Sequence, residues 1–140
     1  MRKDDCIFCK LANGVFPTNT IYEDETFRVI MDIAPATKGH ALIIPKDHYD
    51  DIYDIDPEVL AKAAQLAQKV IKHTTKILGC QGYNLMQNNG EVSGQTVFHF
   101  HLHLIPRYEG EDNKSLLSWT PGEMSSEELK EITEAIRLDK

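Results

Sequence analysis

The stretch Val97-Phe98-His99-Phe100-His101-Leu102-His103-Leu104-Ile105 alternates imidazole with apolar side chains from Phe98 to Leu104. A β-strand sends successive side chains to opposite faces, so the pattern predicts one strand over 97–105 with His99, His101 and His103 on a single face. Phe98, Phe100, Leu102 and Leu104 then point the other way and pack under a helix. A slip of one residue would exchange the two sets, which fixes the register. Half of the chain's six histidines lie here. Neighbouring imidazoles resist simultaneous protonation, so at least one of them stays neutral and nucleophilic near pH 7. The competing reading is a polar strand face open to solvent.

Working outward, the loop Asn88 to Thr96 carries Asn88, Asn89, Gly90, Ser93, Gly94, Gln95 and Thr96. Amides, hydroxyls and glycines of this kind let backbone N–H groups approach an anion such as phosphate. A polar hairpin connection has the same composition, so the loop gains meaning only from the histidines after it. Before it, Gly82 to Gln87 reads as the partner strand.

Further upstream, Asp56 caps and Pro57 opens a long helix that ends at Gly79. Its apolar set is Leu60, Ala63, Ala64, Ala67, Val70, Ile71 and Leu78. Ala41 to Ile44 reads as a strand buried on both faces and stopped by Pro45, while Asn19–Tyr22 and Phe27–Met31 form a hairpin around Glu23-Asp24-Glu25. Ile7 to Asn13 forms a short helix. At the far end, Ser125 to Glu128 is a capping box opening a C-terminal helix with Leu129, Ile132 and Ile136 on one face. The fold class is therefore α+β: about five antiparallel strands, one long helix and a C-terminal helix.

A length of 140 residues suits one domain over 1–140. A net charge of −7 disfavours a general nucleic-acid binder, which would cluster Lys and Arg, but leaves room for a small anionic ligand held by local donors. Met1-Arg2-Lys3-Asp4-Asp5 leads into no apolar signal core, and no stretch approaches the roughly 18 apolar residues of a spanning helix. The expectation is a cytoplasmic protein with no membrane contact. Cys6 and Cys9 form a Cys-x-x-Cys pair, which is half of a common zinc site or a redox couple. Redox pairs of the thioredoxin kind follow a strand, and no strand precedes Cys6. Two further ligands would come from His48 and His99. Cys80 reads as a small buried residue, His40 as a support near the three histidines and His73 as a surface residue of the long helix.

His99 to Ile105 resembles the signature of the histidine triad (HIT) family, His-φ-His-φ-His-φ-φ with φ apolar, at every position. Gly94-Gln95-Thr96-Val97-Phe98, Pro106-Arg107, Asp32 and Lys38-Gly39-His40-Ala41-Leu42-Ile43-Ile44-Pro45 resemble family members as well. The resemblance runs from about Cys6 to Tyr108. The extension 109–140 is less diagnostic, although Trp119 and the last helix are similar to bacterial members.

That resemblance implies a HINT-like nucleotide hydrolase or nucleotidyl transferase acting on purine nucleotide derivatives, phosphoramidates or dinucleoside polyphosphates among them. His101 would be the nucleophile that forms a nucleotidyl-histidine, and His103 and Thr96 would hold the phosphate oxygens. His99 would belong to the same catalytic constellation. Asn88 and Gln95 would hold the phosphate and the leaving-group side. Asp32 would accept the ribose hydroxyls, although a turn aspartate after a strand reads the same way. Ile7, Phe8, Leu11, Phe16, Met31 and Ile33 would wall the purine. Zinc held by Cys6, Cys9, His48 and His99 would be structural, no organic cofactor is implied, and a twofold homodimer through the long helix and a strand edge is expected. Two other readings stand beside this one. In the first the histidines ligate a catalytic metal, although no Asp or Glu lies between Val92 and Tyr108; in the second the protein is a nucleotide-binding adaptor with little turnover.

Overall fold

The computed structural model describes residues 1–112 and 120–138; Trp119 lies outside the described residues. The elements in chain order are α1 (Ile7–Ala12), β1 (Thr20–Glu23), β2 (Phe27–Met31), β3 (Ala41–Pro45), α2 (Pro57–Leu78), β4 (Gly82–Met86), β5 (Leu102–Arg107) and α3 (Ser126–Ile136). One antiparallel sheet has the order β1-β2-β3-β5-β4. The α+β class, the strand number, the long helix and the C-terminal helix follow the sequence reading.

Alternation along the strands sorts the core into two faces. On one face Phe27, Val29, Ala41, Ile43 and Leu104 pack against Ala63, Leu66, Ala67 and Val70 of α2. On the other, Ile30, Leu42 and Ile44 meet Ala12 of α1, with Phe8 and Leu11 packed beside them. Helix α2 is fixed at both ends as expected: the Asp56 carboxylate accepts from Glu58 N–H, and Gly79 closes the helix in a left-handed conformation at φ 68°. Its buried stripe includes Leu66 and leaves Ala64 exposed, because the true inward face is rotated slightly from the set chosen by spacing. Cys80 is buried and His73 exposed. The Ser125 capping box of α3 is present, but Leu129, Ile132 and Ile136 are all exposed.

The decisive strand is shorter than its alternation suggested. β5 begins at Leu102, so residues 97–101 lie outside the sheet ladder. Both neighbours leave it there: β3 pairs only from Leu104 back to Leu102, and β4 ends with Met86 opposite His103. The freed segment finds other partners, with Phe100 N–H donating to Tyr49 C=O at 2.6 Å. Phe100 and Leu104 are buried as expected, whereas Phe98 is 50% exposed. Without a ladder at 97–101, nothing turns Phe98 toward α2. At the other end β5 runs through Pro106, which is tolerated because β3 no longer pairs there. The Thr37 hydroxyl caps the Pro106 carbonyl at 2.6 Å.

Candidate functional site

The site lies on the α1 side of the sheet, where His103 sits in β5 between Leu42 and Met86. His99, His101 and His103 do not form one uniform face. Each is bound by a different partner, His99 through Nε2 and His101 and His103 through Nδ1, and those partners settle its tautomer.

His99 is fully buried, and its Nε2–H donates to the Pro45 carbonyl at 2.8 Å. Its Nδ1 therefore carries the lone pair, and that atom lies 3.3 Å from Cys6 Sγ and 3.4 Å from Cys9 Sγ. His48 is built alike: Nε2 meets the Asp50 carboxylate at 2.7 Å and Nδ1 faces Cys9 Sγ at 3.4 Å. The four ligand atoms of Cys6, Cys9, His48 and His99 lie within 4.8 Å of one another. Tetrahedral zinc with sulfur at ~2.3 Å and nitrogen at ~2.1 Å separates such ligands by about 3.5 Å. The observed spacings match. Each histidine offers a lone pair inward and holds an acceptor outward, the usual outer support of a metal ligand. Backbone amides finish the cradle, with Cys9 N–H donating to Cys6 Sγ at 3.3 Å and Lys3 N–H to Cys9 Sγ at 3.4 Å. The cluster is a Cys2His2 site suited to a structural zinc ion, with no position left for water.

His101 points its Nδ1 at the His99 carbonyl, 2.7 Å away. A carbonyl only accepts, so Nδ1 bears the proton and Nε2 the lone pair, which is what a nucleophile requires. The ring packs edge-on against Phe8 at 4.8 Å and against His103 at 4.9 Å. Burial holds its pKa below the usual histidine value, partly offset by the carbonyl and by the Asp32 charge.

His103 is set by a relay. Ala36 N–H donates to His40 Nδ1 at 3.0 Å, which leaves the proton on His40 Nε2. That proton meets His103 Nδ1 at 2.9 Å, so His103 presents Nε2–H outward. Burial first, then the neighbouring His101 and His40, push the His103 pKa down to about 4. Asp32, His40 and His103 also cluster closely enough to suggest a metal, but the acceptance of Ala36 N–H keeps the His40 Nε2 lone pair occupied by a proton. This second cluster is a hydrogen-bonded chain, whereas the first is a set of open lone pairs.

Asp32 follows β2 directly as the turn residue considered from the sequence, its Oδ1 accepting from Ala34 N–H at 2.8 Å. Its other oxygen lies 3.6 Å from His40 Nε2 and remains available to a ligand. Gln95 is buried and fully engaged: its carbonyl accepts from Gly90 N–H, and its amide donates to the Asp50 and Val97 carbonyls. It shapes the loop that carries Asn88 and Thr96, with Thr96 exposed and Asn88 half-buried.

The six expected wall residues are not all brought together. Leu11, Met31 and Ile33 share a cavity of about 310 Å³ with Ile30, Pro17 and Thr18. Phe8 lies against His101. Phe16 is exposed under the Lys10 ammonium, 5.5 Å from the ring centre. Ile7 lines a different cavity, of about 360 Å³, with Thr96 and Phe98. A larger cavity of about 470 Å³ lies between β1 and α2, lined by Tyr22, Leu66 and Ile77, and none of the three signature histidines reaches it. Residues not foreseen from the sequence are Asp50 behind His48 and the backbone groups of Pro45, His99 and Ala36. Only Asp50 had a legible signal, its spacing of two from His48 in a polar loop.

The model of the HIT domain matches residues 13–110. The chain belongs to the HIT family. It is 38% identical over 131 residues to an adenosine 5′-monophosphoramidase of Schizosaccharomyces pombe, covering 94% of this chain and 95% of that protein. A HIT family protein of Bacillus anthracis superposes with a TM-score of 0.86 at 38% identity, over 98% of both chains. A zinc-bound histidine triad family protein of Mycobacterium smegmatis is 37% identical with a TM-score of 0.74, covering 94% of this chain and 97% of that one. This HIT member shares its architecture with that zinc-bound relative and carries a complete Cys2His2 cluster of its own. No helix among its described residues is long and apolar enough to cross a membrane.

Proposed function

We propose that this HIT protein is a hydrolase or nucleotidyl transferase that acts at the α-phosphorus of purine nucleotide derivatives, above all nucleoside 5′-phosphoramidates. The observation that carries this reading is the pair of opposed tautomers: a free lone pair on His101 Nε2 beside a donor proton on His103 Nε2. One attacks phosphorus and the other meets the developing charge. The similarity to a monophosphoramidase supports the substrate class.

In the first displacement His101 Nε2 forms a bond to phosphorus while the bond to the leaving nitrogen breaks. That nitrogen departs with the electron pair and one proton, passed through His103 Nε2–H and replaced from solvent through His40 Nε2 beside Asp32. The His101 ring becomes cationic, and the His99 carbonyl at Nδ1 stabilises it. Water then attacks phosphorus, releases His101 and returns one proton to solvent. Thr96 and Asn88 hold the phosphate oxygens, Gln95 fixes their loop, Asp32 accepts ribose hydroxyls, and the cavity of Leu11, Met31 and Ile33 takes the base. Bound zinc supplies a rigid tie between α1, His48 and His99 and no open position for chemistry. We further place the protein in the cytoplasm, where reducing conditions keep Cys6 and Cys9 free for metal, and infer a twofold dimer through exposed Ile77 of α2 and Leu85 of the β4 edge.

The test is trapping. Brief reaction with adenosine 5′-phosphoramidate labelled at phosphorus, quenched in base, is expected to leave acid-labile label on wild-type protein and none on His101→Ala. Equal turnover by His101→Ala would remove the covalent mechanism, and nucleotide binding without any turnover in wild type would favour the adaptor reading.

A further inference from the structure

Three consecutive amide side chains, Gln87, Asn88 and Asn89, follow the end of β4, and all three are half-buried. The β4–β5 register sets Met86 opposite His103. Carried on to residue 88, the same register sets Asn88 across from His101, and strand alternation puts it on the face of Met86 and His103. Gln87 and Asn89 turn to the opposite side, where they meet. Gln87 Nε2 donates to Asn89 Oδ1 at 2.8 Å, and Asn89 Nδ2 donates to Gln87 Oε1 at 2.7 Å.

This reciprocal pair is oriented from outside. Ile52 N–H can only donate, and it meets Asn89 Oδ1 at 2.7 Å, which settles which end of that amide is oxygen. Gln87 Nε2 then has to face Asn89 Oδ1, and its other proton goes to the Asn88 carbonyl at 3.0 Å. The Gln87 amide is spent on its two neighbours. Asn88 Nδ2, by contrast, makes no hydrogen bond among the described residues and lies beside Gly94, 3.6 Å from where a Cβ would stand. The segment that anchors Asn89 also holds the rest of the site: Tyr49 C=O accepts from Phe100 N–H at 2.6 Å, and Asp50 C=O from Gln95 Nε2 at 2.8 Å.

We propose that Gln87 and Asn89 are positioning residues, whose paired amides lock the Asn88 peptide so that its free carboxamide is aimed at the phosphate oxygens across from His101. This rests on the reading of Asn88 as a phosphate ligand in the reaction written above. Neither residue of the pair touches substrate. A donor aimed before the substrate arrives needs no reorganisation as charge develops on the phosphate, and that is the gain the pair supplies.

The experiment is a double-mutant cycle on kcat/KM for adenosine 5′-phosphoramidate. Gln87→Met keeps the length of the side chain and removes its hydrogen bonds, and it is expected to lower kcat/KM about tenfold through misplacement of Asn88. In an Asn88→Ala background, itself impaired, the same change should cost less than about twofold, because no carboxamide is left to aim. Asn89→Ala opens the pair from the other side and should show the same dependence on Asn88, so it carries the cycle if Gln87→Met does not fold. A residue that merely supports the fold costs the same factor in both backgrounds, and that result overturns the proposal. Wild-type kcat/KM in Asn88→Ala also overturns it, by taking Asn88 off the phosphate, and leaves the His101 chemistry standing. Failure of wild type to hydrolyse the phosphoramidate overturns the reading of the reaction as well.

Discussion

Removal of zinc is expected to release the N-terminal segment before it disturbs the sheet. Helix α1 has six residues, well short of the ~12–15 that an isolated helix needs, so its order depends on what it is tied to. Only Cys9 and Ala12 of the helix are buried. Apart from the metal cluster, the ties include Ala12, Phe8 and Leu11 against Ile30, Leu42 and Ile44, Phe8 against the His101 ring, and the Asn13 amide on Lys46 C=O at 2.9 Å. Free zinc at a hundred times its dissociation constant stabilises the native state by about 2.7 kcal/mol. For a domain of this size that corresponds to a fall of roughly 10 °C in Tm on chelation. Cys6→Ser is the cleanest variant. Cys6 is also the N-cap of α1, its sulfur accepting from Cys9 N–H, and serine is a strong N-cap, so the cap survives while the thiolate ligand is lost. The assay combines elemental analysis, thermal melting and hydrogen exchange. The amides of Lys10 and Asn13, bonded to Cys6 and Cys9 carbonyls, should lose protection while those of β2 and β3 keep it. The reasoning fails if zinc-loaded wild type and metal-free Cys6→Ser melt together, or if protection falls evenly across the sheet.

Asp32→Asn keeps the acceptor for Ala34 N–H but removes the charge, so it should weaken ribonucleotides several-fold more than their 2′-deoxy counterparts in a binding titration; equal losses would take Asp32 out of the ribose site. His103, unfolded near 6.5 and folded at about 4, leaves the unfolded chain holding more protons between those values, so its contribution to stability is complete above pH 6.5 and disappears as pH falls toward 4. Melting followed from pH 7.5 to 4.5 should show that slope, and His103→Gln should flatten it. Gly39→Ala should destabilise by on the order of 1–3 kcal/mol, seen as a lower Tm. Gly39 has φ 93°, and an added Cβ would lie 2.5 Å from Leu78 Cδ1 and 3.2 Å from Pro106 Cγ.

Alternation and local chemistry are written in consecutive residues, and these the sequence alone determined: the α+β class, the caps at Asp56, Gly79 and Ser125, and the Cys6–Cys9 pair, whose candidate partners His48 and His99 rested on the family resemblance until the fold brought the four together. Periodicity reports which way side chains would point if a strand continued, but it does not say where the neighbouring strands stop. β3 and β4 leave β5 at Leu102 and His103, and only the tertiary structure decided that residues 97–101 turn from the ladder and that Phe98 meets solvent beside Thr96. The division of the expected wall residues between two cavities has the same origin, because the position of α1 over the sheet depends on contacts with Ile30, Leu42 and Ile44 far along the chain. Tautomers were equally out of reach. Three histidines that look equivalent in sequence differ in tautomer because His99 donates from Nε2 to the Pro45 carbonyl, His101 donates from Nδ1 to the His99 carbonyl and His103 accepts at Nδ1 from the His40 ring, and backbone groups leave no mark in side-chain identity.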